Sequence, residues 1–223
     1  EAIRLAPELS DANLAMSYAC LLELDLLGCW EARRKAHESD PSSVVAVHEF
    51  GVAYGMLGLH AEALSCADKA VAGDPFSANS IAQRGIYEWA LGDTKAASAS
   101  FKRSVELGNP LAAVLRARIM SESGDRAAIP YLTATLKAHR DQLPPEFRSA
   151  LAHWLYGLGV IRNVGWAKQI IWPIAKRALG NPKKPPSVGV KGLLLHLGKA
   201  EAYFDEVRNR PNTHLPGALM QLW

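Results

Sequence analysis

Seven histidines and three cysteines are the side chains of this 223-residue sequence best suited to metal binding or nucleophilic catalysis. The histidines are His37, His48, His60, His139, His153, His196 and His214. No two stand four residues apart, and none belongs to the H-E-x-x-H pattern that sets two imidazoles on one helical face around zinc. Cys20, Cys29 and Cys66 form no C-x-x-C pair, and their apolar, helix-like surroundings suit small buried hydrophobes. Cys20 or Cys66 beside His48 would make a nucleophile and its base only if folding brought sulfur and imidazole to about 3 Å. Gly157, Gly159 and Gly165 match neither G-x-x-x-x-G-K-[ST] nor a strand-led G-x-G-x-x-G, so no phosphate loop is written here. The carboxylates are spread as helix surfaces and caps, without a recognisable catalytic pair. The expectation is a non-enzymatic chain with no metal and no cofactor.

The elements that carry these residues follow a 34-residue beat. Pro7, Pro41 and Pro75 are spaced by it, and Asn109-Pro110 falls where a fourth proline belongs. Ala2, Ala36, Ala70 and Ser104 form a second column; Cys29, Ala63 and Ala97 form a third; Ser17, Gly51 and Gly85 form a fourth. Small residues held at one period across several columns signal a repeated supersecondary unit. Each unit reads as two helices. Val44 to Leu57 is one amphipathic run, Gly58-Leu59 breaks it, and His60 to Ala72 is the second, closed by Gly73-Asp74-Pro75. Gly58 and Gly92 sit where a tight turn asks for positive φ, and the prolines cannot continue a helix. In an antiparallel pair Gly51 should face Ala63, and Gly85 should face Ala97, so that the two backbones approach closely.

These columns resemble the tetratricopeptide repeat, whose signature runs W-x₂-L-G-x₂-Y, then A-x₃-F, then P. The unit from Val44 matches it with Val47, Phe50-Gly51, Tyr54, Ala63, Ala67 and Pro75; the next has Ile81, Arg84-Gly85, Glu88, Ala97, Phe101 and Asn109. The first has Asn13, Met16-Ser17, Cys20, Cys29, Arg33 and Pro41. Departures at Asn13, Ser17, Arg84 and Glu88 leave the period intact. The resemblance implies an all-α, right-handed superhelical solenoid of antiparallel helix pairs. Its clearest units are 10–43, 44–77 and 78–111, with degenerate pairs over 112–143 and 146–180 completing a repeat domain that spans 1–180.

In the degenerate part, Leu111 to Ser121 and Arg126 to His139 pair around Ser123-Gly124-Asp125, with Pro130 in the first turn of its helix or kinking it. Glu146 to Leu158 and Trp166 to Leu179 follow, joined by a loop from Gly159 to Gly165, and Pro173 should bend or restart the last helix. Residues 181–223 read as a proline-rich linker and a C-terminal helical cap carrying Leu193, Leu194, Leu197 and Tyr203. Ile171-Trp172-Pro173, Leu179, Leu194, Leu197-Gly198 and Tyr203-Phe204 resemble a tail phrase that ends tetratricopeptide arrays in bacterial signalling and transcriptional regulators and cyclase-associated proteins.

In this family the first helix of each pair lines a concave groove. Carried over by alignment, the groove positions are Asp11, Leu14, Tyr18 and Leu21, then Val45, His48, Val52 and Gly55, then Asn79, Ala82, Ile86 and Trp89. Repeat packing falls to Gly51, Ala63, Gly85, Ala97, Phe101, Pro41 and Pro75. The lysine and arginine carboxylate clamp of some family members is absent from these positions. The resemblance therefore implies a protein or peptide partner held against an apolar wall, with self-association or an intramolecular scaffold role in a larger bacterial regulator or cyclase as the alternative. Arg84, Lys95, Lys102 and Arg103 read as solvated surface.

Charge adds a polarity. Residues 1–110 hold 15 acidic and 9 basic side chains, a balance of −6, whereas 111–223 hold 7 and 16, a balance of +9. The basic residues are scattered and lack regular aromatic interleaving, which argues against a nucleic-acid partner. No stretch supplies the roughly 20 apolar residues that cross a bilayer, so no membrane insertion is expected. The sequence opens on Glu1 with a helix-like run at once, and is expected to begin inside a longer parent chain. Three unbridged-looking cysteines favour a cytoplasmic setting.

Overall fold

A computed structural model describes residues 8–23, 25–143, 148–179 and 201, and all regular structure among them is helical. Ala2 and Pro7, the start of the helix expected from Glu146, and the linker and cap expected over 181–223 lie outside the described residues, Glu201 apart. Contacts divide the chain into two compact units, Glu1–Asn109 and Pro110–Trp223.

The first unit contains α1 (Ser10–Leu22), α2 (Leu26–Ser39), α3 (Val44–Met56), α4 (His60–Gly73), α5 (Ala78–Ala90) and α6 (Thr94–Glu106). Three hairpins, α1/α2, α3/α4 and α5/α6, make the densest contacts; α2 then packs on α3, α4 on α5, and the first helices α1, α3 and α5 touch in succession. A single hairpin leaves one apolar face uncovered, and stacking covers it, so nearest-neighbour contacts of this kind define a solenoid of tandem helix pairs.

Local chemistry places the breaks. Gly58 and Gly92 adopt φ of 76° and 90° between the helices of their pairs, a conformation that penalises a Cβ. Between hairpins, the Asp40 carboxylate accepts from the backbone N–H of Ser42 and Ser43 at 3.0 and 3.1 Å, and Asp74 accepts from that of Phe76 at 3.0 Å. These Asx turns seat Pro41 and Pro75, after which the hydroxyls of Ser43 and Ser77 accept from the N–H groups of Ala46 and Ser80 and cap α3 and α5.

The small-residue columns are the seams. Ala36, Ala70 and Ser104 are fully buried, as are Ala63 and Ala97. A Cβ on Gly51 would lie 2.8 Å from the Cβ of Cys66 and 3.4 Å from the Ala63 carbonyl oxygen. At Gly85 the closest neighbours are the Phe101 ring, at 2.8 Å, and the Ser100 Cβ, one turn along from the expected Ala97. Phe101 is wholly buried, and sequestering a ring of that size contributes on the order of 2 kcal/mol. The departures from the motif are locally satisfied. Buried Ser17 donates to the Leu14 carbonyl at 2.7 Å, and Asn13 donates to that of Leu9 at 3.0 Å.

The second unit contains α7 (Ala112–Glu122), α8 (Ala128–Ala138), a 3₁₀ turn at Arg140–Gln142, α9 (Ala150–Tyr156) and α10 (Gly165–Leu179). Pro130 lies in the first turn of α8. Two sequence expectations change here. The stretch from Gly157 to Ile161 is a π-helical extension of α9, so the loop expected from Gly159 begins only after Ile161. Its glycines permit this, because Cβ atoms there would approach Ile129 at 3.2 Å and the Lys168 backbone at 3.4 Å. Nor does α10 restart at Pro173: the helix is continuous across it. Leu155, Ala167 and Ile171 form the core of this end, flanked by Tyr156, Leu158, Val160, Val164 and Trp172.

Candidate functional site

Because α1, α3 and α5 are neighbours, their residues form one face of the first unit. The expected groove residues fall into three groups on it. Tyr18 and Asn79 are exposed; His48, Ile86 and Trp89 are half-buried; Leu14, Leu21 and Val52 are buried among helices. Ile86 packs beside the Ala63, Ala67 and Tyr87 cluster, and Trp89 meets the edge of Phe101 with ring centroids 6.5 Å apart. Val45, on the turn before His48, is 56% exposed. Gly55 leaves its place to Tyr87, whose ring edge would be 2.6 Å from a Cβ there and whose hydroxyl donates to the Gly51 carbonyl at 3.2 Å.

Beneath this face lies a charged group that the motif does not supply. Arg33 occupies the column of the A-x₃-F phenylalanine, and its side chain is 3% exposed. Its guanidinium meets the Glu49 carboxylate at 2.8 Å, touches the Met56 sulfur at 3.7 Å and lies 6.0 Å from the centre of the Tyr18 ring. Tyr18 donates its hydroxyl to the other Glu49 oxygen at 2.7 Å. Burial, followed by this carboxylate, pushes the Tyr18 phenol up to about 12. One exposed aromatic ring is thereby held by an ion pair that crosses from the first hairpin to the second.

His48 continues the network to the third hairpin. Its Nδ1 shares a 3.2 Å hydrogen bond with the Ser80 hydroxyl, which in turn lies 2.9 Å from that of Ser77. Burial holds the imidazole below its ordinary value; Glu49 opposes that shift and Arg33 adds to it. Further along, Arg84 is not a solvated surface residue. It bonds to Glu88 and to the Ser100 hydroxyl, both at 3.3 Å, while Ser100 donates to Glu88 at 2.6 Å. Lys95, Lys102 and Arg103 are exposed as expected.

The sequence signal for Arg33, Glu49, Arg84 and Glu88 was present. A charge in a column that the motif reserves for an apolar side chain needs an opposite charge within reach, since an unpaired buried ion is costly.

The three cysteine thiols are poorly disposed to act as nucleophiles. Burial pushes the thiols of Cys29 and Cys66 up, and burial with Asp25 and Glu23 does so for Cys20, opposite to what a nucleophilic sulfur requires. Among the described residues no group of three or more His, Cys, Asp or Glu is placed to hold a metal ion, and no helix is long and apolar enough to cross a membrane.

No family model matches the sequence, and no curated protein matches it. Solved structures do. A tetratricopeptide repeat protein from Parabacteroides merdae superposes with a TM-score of 0.54 at 14% identity, over 93% of this chain and 80% of that one. YrrB, a tetratricopeptide repeat protein with an unusual peptide-binding site, gives 0.52 at 17% identity over 90% and 96%. MamA gives 0.53 at 17% identity over 92% and 96%. Agreement in fold at this low identity, together with the stacked pairs, shows that the chain has a tetratricopeptide-like repeat fold.

Proposed function

We propose that the first unit is a protein–protein interaction module that takes an apolar peptide or helix of a partner along the face of α1, α3 and α5. The observation that carries this reading is the run of Tyr18, Val45 and Trp89 on three adjacent first helices, each aromatic ring or branched side chain at least partly open to solvent. Aromatic side chains give large contact area for few rotatable bonds, and Tyr18 is already oriented by Glu49 and Arg33, so little ordering cost remains for binding. Rim charges would then set encounter rate and orientation. YrrB, of the same fold, has a peptide-binding site, which supports the class of ligand.

The test is selection of displayed peptides on the full chain, followed by challenge with Tyr18→Ala/Trp89→Ala. Recovery of apolar or aromatic sequences that lose binding to the variant, with helicity and melting unchanged, supports the reading. Selection of sequences that bind the variant equally well overturns it.

The finer assignment is to the tetratricopeptide region of a larger bacterial signalling or transcriptional regulator, or of a cyclase. It rests on the tail phrase around Ile171-Trp172-Pro173, and the sequence flanking this chain in its gene tests it. Cys20, Cys29 and Cys66 are free thiols, and a reducing cytoplasm is the compartment proposed for them.

A further inference from the structure

Each unit presents a second apolar surface that the groove does not use. In the first unit the three hairpin turns lie along one edge of the stack, since the hairpins are antiparallel pairs whose first helices are neighbours. That edge exposes Leu26 and Leu27 at the start of α2, Leu57 and Leu59 around Gly58, and Leu91 beside Gly92, with Leu27 69% exposed. Glu23, Asp25, Glu62 and Asp93 stand among these leucines, all exposed, with Lys95 the one cation of the same turns. The edge is apolar and acidic.

In the second unit α9 and α10 expose Leu151, Trp154, Trp166 and Ile170. The first two are three residues apart and the last two four apart, the spacings that put side chains on one helical face. The helices pack together, and the two indole rings lie 5.8 Å apart, tilted by 46°, so the four side chains form one patch. Trp154 and Trp166 are nevertheless 44% and 49% exposed. Arg148 and Arg162 stand at the ends of this hairpin, exposed and held by hydrogen bonds to the Leu143 and Asp125 carbonyls. A contiguous exposed apolar patch with a charged rim is the mark of an interface.

The two surfaces are complementary in both respects. Leucines with carboxylates stand on a unit of net charge −6, and tryptophans with guanidinium groups stand on a unit of net charge +9. We propose that the chain associates with a second copy of itself head to tail, the leucine edge of one copy's first unit seated on the Trp154–Trp166 face of the other's second unit. Such a contact is heterologous, so a pair of copies retains one free edge and one free face, and growth continues unless the geometry closes into a ring. Tyr18 and Trp89 take no part, so the groove reading stands or falls separately.

The full chain is examined by sedimentation velocity across concentration and salt. Wild type should exceed the monomer mass increasingly with concentration and weaken several-fold at about 0.5 M salt, where charge attraction is screened. Trp154→Ala/Trp166→Ala and Leu27→Asp/Leu57→Asn should each be monomeric alone, and mixing them should give a complex of two chains and nothing larger. Where the tryptophan variant loses helicity, Leu151→Ser/Ile170→Ser serves in its place. A monomer at every concentration overturns the proposal. A dimer that one variant abolishes, without recovery on mixing, overturns it in favour of a symmetric contact. Association indifferent to both variants overturns it as well.

Discussion

The Arg33 guanidinium and the Glu49 carboxylate meet at 2.8 Å across the seam between the first two hairpins, with side chains only 3% and 13% exposed. A pair so far from water stabilises little relative to good apolar packing, yet removing one member leaves the other desolvated and unpaired. Arg33→Ala or Glu49→Ala alone should cost about 3 to 5 kcal/mol, whereas Arg33→Met/Glu49→Met should come within about 1 kcal/mol of wild type or exceed it. Urea unfolding of the four proteins measures the coupling. Additive losses would mean that the pair is not isolated in this way.

His48 should make the first unit sensitive to mild acid. Its imidazole is held neutral by burial, with Glu49 and Arg33 as the charged groups facing it, and its folded pKa lies below the ordinary 6.5. The unfolded chain therefore binds more protons than the folded one in the window below 6.5. Stability is fully present above that value and falls as pH drops toward the folded pKa. In His48→Asn, thermal melts between pH 7.5 and 5 should lose that part of the acid dependence; an unchanged pH profile would show that another group carries it.

Two glycines from the same hairpin should fail differently when given a Cβ. At Gly51 the new atom meets the Cys66 Cβ at 2.8 Å, an overlap that no side-chain rotation relieves, and Gly51→Ala should cost about 1 to 3 kcal/mol. At Gly58 nothing lies within 4 Å, but φ is 76°. Gly58→Ala should therefore cost about 1 to 2 kcal/mol through the backbone alone, and Gly58→Asn less, because asparagine tolerates that region. Melting temperatures in the order wild type, Gly58→Asn, Gly58→Ala check the second assignment. Stability of Gly51→Ala equal to wild type would contradict the first.

The period and the small columns made the first unit legible, because a repeat repeats its packing reasons. Ala36, Ala70 and Ser104 share one environment, and each hairpin break is marked by glycine, aspartate or proline. The groove was less legible. Leu14, Leu21 and Val52 occupy groove columns by alignment and yet are buried, whereas Val45 in the same set is exposed, a difference set by neighbouring hairpins and not by residue type. Arg33 and Arg84 were visible only as departures, because their partners are chosen by distances in space. In the second unit the beat decays, and Gly159 reads as the start of a loop when its lack of a side chain serves a π-helical turn packed on Lys168.

The groove claim is tested most directly by the affinity of a selected apolar peptide for wild type and for Tyr18→Ala/Trp89→Ala, titrated calorimetrically on proteins of matched melting temperature. Two truncated anchors of at least 1 kcal/mol each predict a loss of roughly tenfold or more. Equal affinities would place the peptide elsewhere and contradict the account.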